Sequence, residues 1–264
     1  MENPVVAGVL VALIVPFLGN TLGAALVFLM RHGMSERFTK ALLGFAAGVM
    51  IAASVWSLIT PALEAAEGGP VPAWAPAAVG FLGGMLLLLA IDHFTPHLHV
   101  GSDEPEGPVT TLKTPTMMLF ALAIHNLPEG MAVGVVLAGF LAGDPTITLA
   151  SVVALSLGIA IQNVPEGAVV SLPLTANGMS RPKAFLAGTL CGAVEPVGAV
   201  LKVAITGLVT PLLPYVLAFA AGAMMYVVTE ELIPQTQQGR HTNIGTIGVA
   251  FGFVLMMVLD VALG

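Results

Sequence analysis

Charged residues are scarce in this sequence. Asp, Glu, Lys and Arg make up 9% of its 264 residues, where a water-soluble domain carries roughly a quarter. A chain so poor in charge cannot wrap a core of its own in solvated surface. Basic residues are the rarer sign, eight Lys and Arg against fifteen Asp and Glu, for a formal charge of −7. Nucleic-acid binding needs clustered Lys and Arg and is excluded, whereas an acidic excess suits the guidance of cations. Cysteine is nearly absent: a lone Cys191 rules out an internal disulfide and a thiolate metal cluster. Its place between Leu190 and Gly192 reads as a small packing residue. The opening Met-Glu-Asn-Pro lacks the basic start of a cleavable signal, so the first apolar run reads as a membrane helix. What the chain has in quantity is apolar side chain, 57% of all residues, and such a chain belongs in lipid.

A helix rises about 1.5 Å per residue and the hydrocarbon layer is about 30 Å thick, so each apolar stretch of about 20 residues is a spanning candidate. Eight occur, over 4–30, 38–63, 74–97, 114–139, 147–176, 181–207, 211–234 and 243–263. The pattern predicts an all-α polytopic membrane protein of eight transmembrane helices, forming one domain over 1–264. Eight spans put both termini on one side. The loops of one face hold Arg31, Arg37, Lys40, Lys113, Arg181, Lys183 and Arg240; those of the other, around 64–73, 140–146 and 208–213, hold no basic residue. Lys40, Arg181 and Lys183 stand at span ends, which leaves Lys202 as the only basic residue placed well inside a span. The basic loops are therefore expected in the cytoplasm and both termini outside. The longest connection, about 97–113, is polar, broken by Pro and Gly, and expected to be a mobile cytoplasmic loop. It reads either as a solvated linker or, through His97, His99 and its carboxylates, as a weak metal acceptor.

The remaining polarity gathers in motifs. His125-Asn126-Leu127-Pro128-Glu129-Gly130 returns 37 residues later as Gln162-Asn163-Val164-Pro165-Glu166-Gly167. Positions i, i+1 and i+4 share an arc of roughly 100° on a helix, so His125, Asn126 and Glu129 face one way on the fourth span. Gln162, Asn163 and Glu166 do the same on the fifth. Each motif holds a proline that releases carbonyls near Ile124 and Ile161, and such carbonyls survive at membrane depth only where protein or a wet cavity receives them. The expectation is a pair of locally unwound helices forming an ion site. Glu195, followed by Pro196, and Met50 lie at similar mid-span depth. A mid-span Met is ordinarily core; this one gains interest from its neighbours in depth. Three carboxylates at the bilayer centre need a cation or a shared proton, and Lys202, seven residues beyond Glu195, is the one candidate counter-charge. A divalent metal meets the need: imidazole with carboxylate suits zinc, and a thioether favours softer ions such as cadmium. Binding is expected to release protons, because ligands must be deprotonated. Gly44 with Gly48, Gly83 with Gly84 and Gly188 with Gly192 allow close helix approach.

Two other readings compete. An intramembrane metallohydrolase could use a His and a Glu four apart, but the second His of an HExxH arrangement is missing. A proton- or sodium-coupled carrier of another solute would use the same broken helices with fewer carboxylates beside an imidazole.

The two Pro-Glu-Gly motifs, the Ala-Ala-Gly-Val-Met stretch ending at Met50, the Glu195-Pro196 pair and Glu230-Glu231-Leu232-Ile233-Pro234 together resemble the ZIP (Zrt/Irt-like protein) family of divalent metal transporters, in its prokaryotic branch. The resemblance implies helices 4 and 5 as a central metal-binding pair, with helices 1–3 and 6–8 as pseudo-symmetric inverted elements. It implies one metal position at Met50, His125, Glu129, Gln162 and Glu166, and an adjoining one at Asn126, Asn163, Glu166 and Glu195, bridged by Glu166. Close bacterial relatives commonly have Asp where this chain has Asn163, so the second position should hold metal more weakly. Asp92, His97, His99, Glu230 and Glu231 resemble cytoplasmic exit groups. Ser57 and Glu64, one and two heptads beyond Met50, read as lining the outer approach or as ordinary boundary residues, and Asp260 as a solvated residue near a helix end. The implied activity is uptake of zinc, or of cadmium, iron or manganese, through a cell membrane by alternating access. The metal is cargo, with no prosthetic group and no enzymatic step, and family members are often homodimers.

Overall fold

The computed structural model describes residues 4–30, 34–96, 107–108, 114–176, 178–206, 212–239 and 242–263; of the helical side chains, those of 114–123, 125, 176, 202 and 204–206 lie outside that description. All the secondary structure described is helical: α1 (Pro4–Leu29), α2 (Glu36–Ala53), α3 (Thr60–Ala65), α4 (Trp74–Phe94), α5 (Thr114–Ala142), α6 (Leu149–Ala176), α7 (Arg181–Gly192), α8 (Val194–Thr206), α9 (Leu213–Val227), α10 (Ile233–Gln237) and α11 (Ile244–Leu263). The connection expected to be mobile, 97–113, lies outside the described residues except for Gly107 and Pro108.

These segments form eight rods, as many as the sequence predicts. A π-turn over Ser54–Ile59 joins α2 to α3, and another over Val228–Leu232 joins α9 to α10. Each precedes a proline, Pro61 or Pro234. Proline lacks an N–H and its ring crowds the carbonyl one turn earlier; widening the helix to i→i+5 bonds relieves the crowding. Thr60 N–H accordingly donates to the Val55 carbonyl, and Ile233 N–H to the Val228 carbonyl. The α7–α8 rod breaks at Ala193, just ahead of Pro196.

Seven rods have the length and apolarity to cross a membrane over their described residues; the eighth, α5, runs 29 residues, with Asn126–Ala142 as its described apolar part. The α2–α3, α6 and α9–α10 rods are largely buried, while α1, α4 and α11 turn apolar side chains such as Leu22, Leu86 and Phe251 outward. Outward apolar faces along rods of this length suit hydrocarbon and not water. The chain is a multi-pass membrane protein.

The rods pack in a repeating pattern. The first lies on the fifth (α1 on α6) and the sixth on the fourth (α8 on α5); the second pairs with the eighth (α2 with α11) and the seventh with the third (α9 with α4). Exchanging rods 1, 2, 3 and 4 for 6, 7, 8 and 5 maps this set of contacts onto itself. Partners in the exchange are separated by an odd number of crossings, so they run in opposite directions, as inverted elements do. Glycine sets the approach within each pair. Gly44 and Gly48 press on the backbone of Gly245 and Val249, Gly248 and Gly252 press back on Ala41 and Phe45, and Gly84 presses on Phe219. Gly19 and Gly23 do so against Ala160 and Val164, and Gly130 against Glu195. A methyl group at any of these would run into a neighbouring main chain, so backbones meet where lipid gives no hydrophobic drive between helices.

The expected close-approach glycines divide. Gly44, Gly48 and Gly84 touch backbone, Gly188 and Gly192 accommodate the side chains of Ser171 and Asn20, and a Cβ on Gly83 would meet only the Phe219 ring, at an ordinary 3.5 Å. Gly84→Val should therefore destabilise the protein by about 1–3 kcal/mol or more, with a lower melting temperature in detergent, while Gly83→Val leaves it nearly unchanged. Equal melting of the two variants would contradict the packing described.

Candidate metal centre

The matched motifs sit midway along α5 and α6, and each helix runs unbroken through its motif proline, Pro128 or Pro165. The expected unwinding at these prolines does not occur. The break lies instead on the α7–α8 rod at Ala193, and amide donors from other helices reach carbonyls of the turn just before it. Asn20 Nδ2 on α1 donates to the Gly188 carbonyl at 2.9 Å, and Asn126 Nδ2 on α5 donates to the Cys191 carbonyl at 3.1 Å. An interrupted helix is tolerated at membrane depth where its backbone groups find such partners.

Two side-chain amides from α6 link carboxylates on different helices. Gln162 Nε2 donates to Glu129 Oε1 on α5 and, at 2.8 Å, to Asn163 Oδ1. Asn163 Nδ2 donates to Glu195 Oε2 on α8 at 2.8 Å and to the Pro16 carbonyl on α1 at 3.2 Å. The result is a continuous line, Glu129, Gln162, Asn163, Glu195, held by four rods. Glu166 lies close enough that Glu195 feels its charge together with that of Glu129. None of Asn126, Glu129, Gln162, Asn163, Glu166 and Glu195 is more than 7% exposed. Among the described residues, Asn126 Oδ1, Gln162 Oε1 and Glu195 Oε1 are buried oxygens without a hydrogen-bond partner. Buried acceptors left unfilled are costly, about 1–3 kcal/mol each, and are open to a cation.

Among the described residues no three His, Cys, Asp or Glu side chains converge as a metal cluster; Gln162 and Asn163 stand between the carboxylates. His125 belongs to the motif face of α5, and its side chain, like that of Lys202, lies outside the description. Met50 is fully buried in the main apolar cluster, and its carbonyl accepts a bond from Ser54 Oγ at 2.8 Å.

At the end of the bundle expected to face outward, Ser57 Oγ donates to Asp260 Oδ1 at 2.6 Å, tying the first π-turn to α11. Asp260, read from sequence as solvated, is instead partly buried and bonded across the bundle. Glu64, grouped with Ser57 on the outer approach, is exposed. At the opposite end Asp92 and Glu231 are buried and Glu230 is exposed. Tyr226 lies near Asp92, Glu230 and Glu231 at this end. His97 and His99 lie outside the described residues. Sequence reasoning missed Asn20 and Tyr226; an amide in the middle of an apolar first span was the available signal for Asn20.

Eight apolar rods around a buried polar centre define a polytopic membrane protein with a central polar site. A family model described as ZIP Zinc transporter matches residues 114–260. Similar proteins include "Zinc transporter ZIP11" of Xenopus tropicalis, 37% identical with 92% of this chain and 93% of that one aligned. The human "Zinc transporter ZIP11" is 36% identical over the same shares. "Zinc transporter ZIPB" of Bordetella bronchiseptica is 42% identical over 94% of this chain and 79% of its own. The chain belongs to the ZIP zinc transporter family.

Asn163→Leu removes the bridge between Gln162 and Glu195 and should cost about 1–3 kcal/mol of stability, seen as a lower melting temperature in detergent without added metal. Melting as in the unaltered protein would contradict the linkage.

Proposed function

We propose that this protein carries divalent transition-metal ions, zinc foremost, through the membrane into the cytoplasm, with the centre between α5 and α6 as the transport site. The observation that carries the proposal is the line of buried carboxylates and amides at mid-depth. Carboxylates there need a cation, and the described residues supply no basic side chain beside them. The names of the similar proteins support zinc as cargo; cadmium, iron and manganese fit the same donors.

In this reading Met50, His125, Glu129, Gln162 and Glu166 form the principal position. Imidazole and carboxylate are borderline donors that match zinc, and the amide and thioether complete the shell. Asn126, Asn163, Glu166 and Glu195 form the adjoining position, which is the weaker of the two. Its Asn163 amide has both ends engaged, Oδ1 with Gln162 and Nδ2 with Glu195 and Pro16. Ser57 and Glu64, now joined by Asp260, guide the ion in, and Asp92, His97, His99, Glu230 and Glu231 receive it on the cytoplasmic side. Both termini lie outside, in a cell membrane.

The way the rods adhere supports alternating access. Every described helical glycine that packs on the backbone of another rod does so within the α1, α5, α6 and α7–α8 group, or within the α2–α11 and α4–α9 pairs. No described glycine packs on backbone where α2 meets α6 or α5 meets α9, and such interfaces slide more readily than interlocked backbones. The metal-bearing group then moves as a body against the rest. The family resemblance extends the reading to a homodimer, which cross-linking in native membranes would reveal as a doubled mass.

Zinc uptake into vesicles holding the purified protein tests the proposal. His125→Ala and Glu166→Ala should each lower kcat/KM for zinc at least tenfold, a loss of about 1.4 kcal/mol or more. Flux unchanged by both would end the metal-carrier reading and favour a carrier of another solute. A reporter joined after Gly264 should be accessible from outside intact cells; a cytoplasmic reporter would overturn the orientation.

A further inference from the structure

The inverted pairing of rods assigns a counterpart to each residue of the centre. Gly130, closing the first motif, packs on the main chain of Glu195. Gly167, closing the second, packs on the main chain of Asn20. Three residues farther along each partner helix a second glycine repeats the match: a Cβ on Gly198 would stand 3.6 Å from the Leu127 carbonyl oxygen, and one on Gly23 would run into the Val164 carbonyl. Leu127 and Val164 hold the same place in their motifs. Asn20 therefore stands to Glu166 and Gly167 as Glu195 stands to Glu129 and Gly130.

The side chain of Asn20 is set for more than packing. It is 1% exposed in the middle of an apolar helix. Its Nδ2 is fixed on the Gly188 carbonyl at 2.9 Å, and its Oδ1 has no hydrogen-bond partner among the described residues. That oxygen lies against Gly167, 2.9 Å from where a Cβ on that residue would stand, and Gly192 makes room for the amide nitrogen. Asn126 shows the same disposition, with its nitrogen held by the Cys191 carbonyl and its oxygen unfilled. A buried amide whose donor is anchored and whose acceptor is unfilled costs the fold stability unless something else takes the acceptor.

We propose that Asn20 is a cargo-binding residue: its Oδ1 is an oxygen donor to the divalent cation beside Glu166, directly or through a bound water, as the α1 equivalent of Glu195. The centre then has an acidic flank on α8 and a neutral flank on α1. A carbonyl oxygen adds a ligand or holds a hydration water without adding charge, which eases release of a doubly charged ion. A carboxylate at that place would hold the ion more tightly and let it go more slowly.

This inference rests on the reading of the centre as the transport site, and one set of measurements separates the two. Zinc uptake into vesicles and equilibrium zinc and cadmium binding to the purified protein are compared for the unaltered chain, Asn20→Ala and Asn20→Asp. Asn20→Ala, which removes the oxygen, should raise KM for zinc about five- to tenfold, a loss of about 1.0–1.4 kcal/mol, and weaken binding in step. Asn20→Asp, nearly isosteric, should bind zinc more tightly than the unaltered protein while its maximal rate falls. Opposite shifts of affinity distinguish a donor to the ion from a clamp between α1 and α7, for which both variants lose the Nδ2 bond and change alike. Should Asn20→Ala fail to fold, the direction of the change in Asn20→Asp decides. Native zinc affinity and native rate in Asn20→Asp, or equal weakening in both variants, would overturn the assignment of Asn20. An unaltered protein with no zinc flux would instead overturn the transport reading beneath it.

Discussion

Charge held away from water governs this structure. Glu129, Glu166 and Glu195 are buried at mid-depth in a bundle whose outer faces are apolar, and no ammonium or guanidinium group is described beside them. Moving a carboxylate to such a place costs several kcal/mol. The protein meets part of that cost with amides: Gln162 donates to Glu129, and Asn163 donates to Glu195. These amides hold Glu129 and Glu195 in position without themselves adding a positive charge.

The surrounding architecture positions that centre through backbone contacts. Glycines at rod crossings let α1 seat on α6 and α5 on α8, which brings Pro16, Asn20 and Glu195 to the two motifs. The glycine that ends each motif is where the flanking helix touches. The two Pro-Glu-Gly sequences thus serve packing and chemistry together: the carboxylate faces the centre, and the next residue admits the helix that brings in Glu195 or Asn20.

Much of this was legible in sequence, for identifiable reasons. Scarce charge and 20-residue apolar runs fix the number of spans, and helical spacing puts the motif residues on common faces. What escaped depends on partners from distant parts of the chain. Prolines 128 and 165 suggested unwinding, yet α5 and α6 continue through them, and the break falls at Ala193, where Asn20 and Asn126 supply donors to Gly188 and Cys191. Asp260 read as solvated because Ser57, 203 residues away along the chain, could not be placed beside it. Asn163 could be compared with an aspartate as a ligand, but its engagement at both ends appears only in three dimensions. The π-turns before Pro61 and Pro234 likewise require coordinates, since proline alone permits a kink, a break or a widened turn.

In the proposed function the buried acids and amides of α5, α6 and α8 bind the ion that crosses the membrane. Anomalous scattering at the zinc edge from crystals of the metal-loaded protein tests it most directly. The account predicts a principal peak among His125, Glu129 and Glu166, with a weaker peak or none beside Asn163. Zinc confined to the exposed carboxylates at the ends of the bundle, with the centre empty at saturating metal, would contradict it.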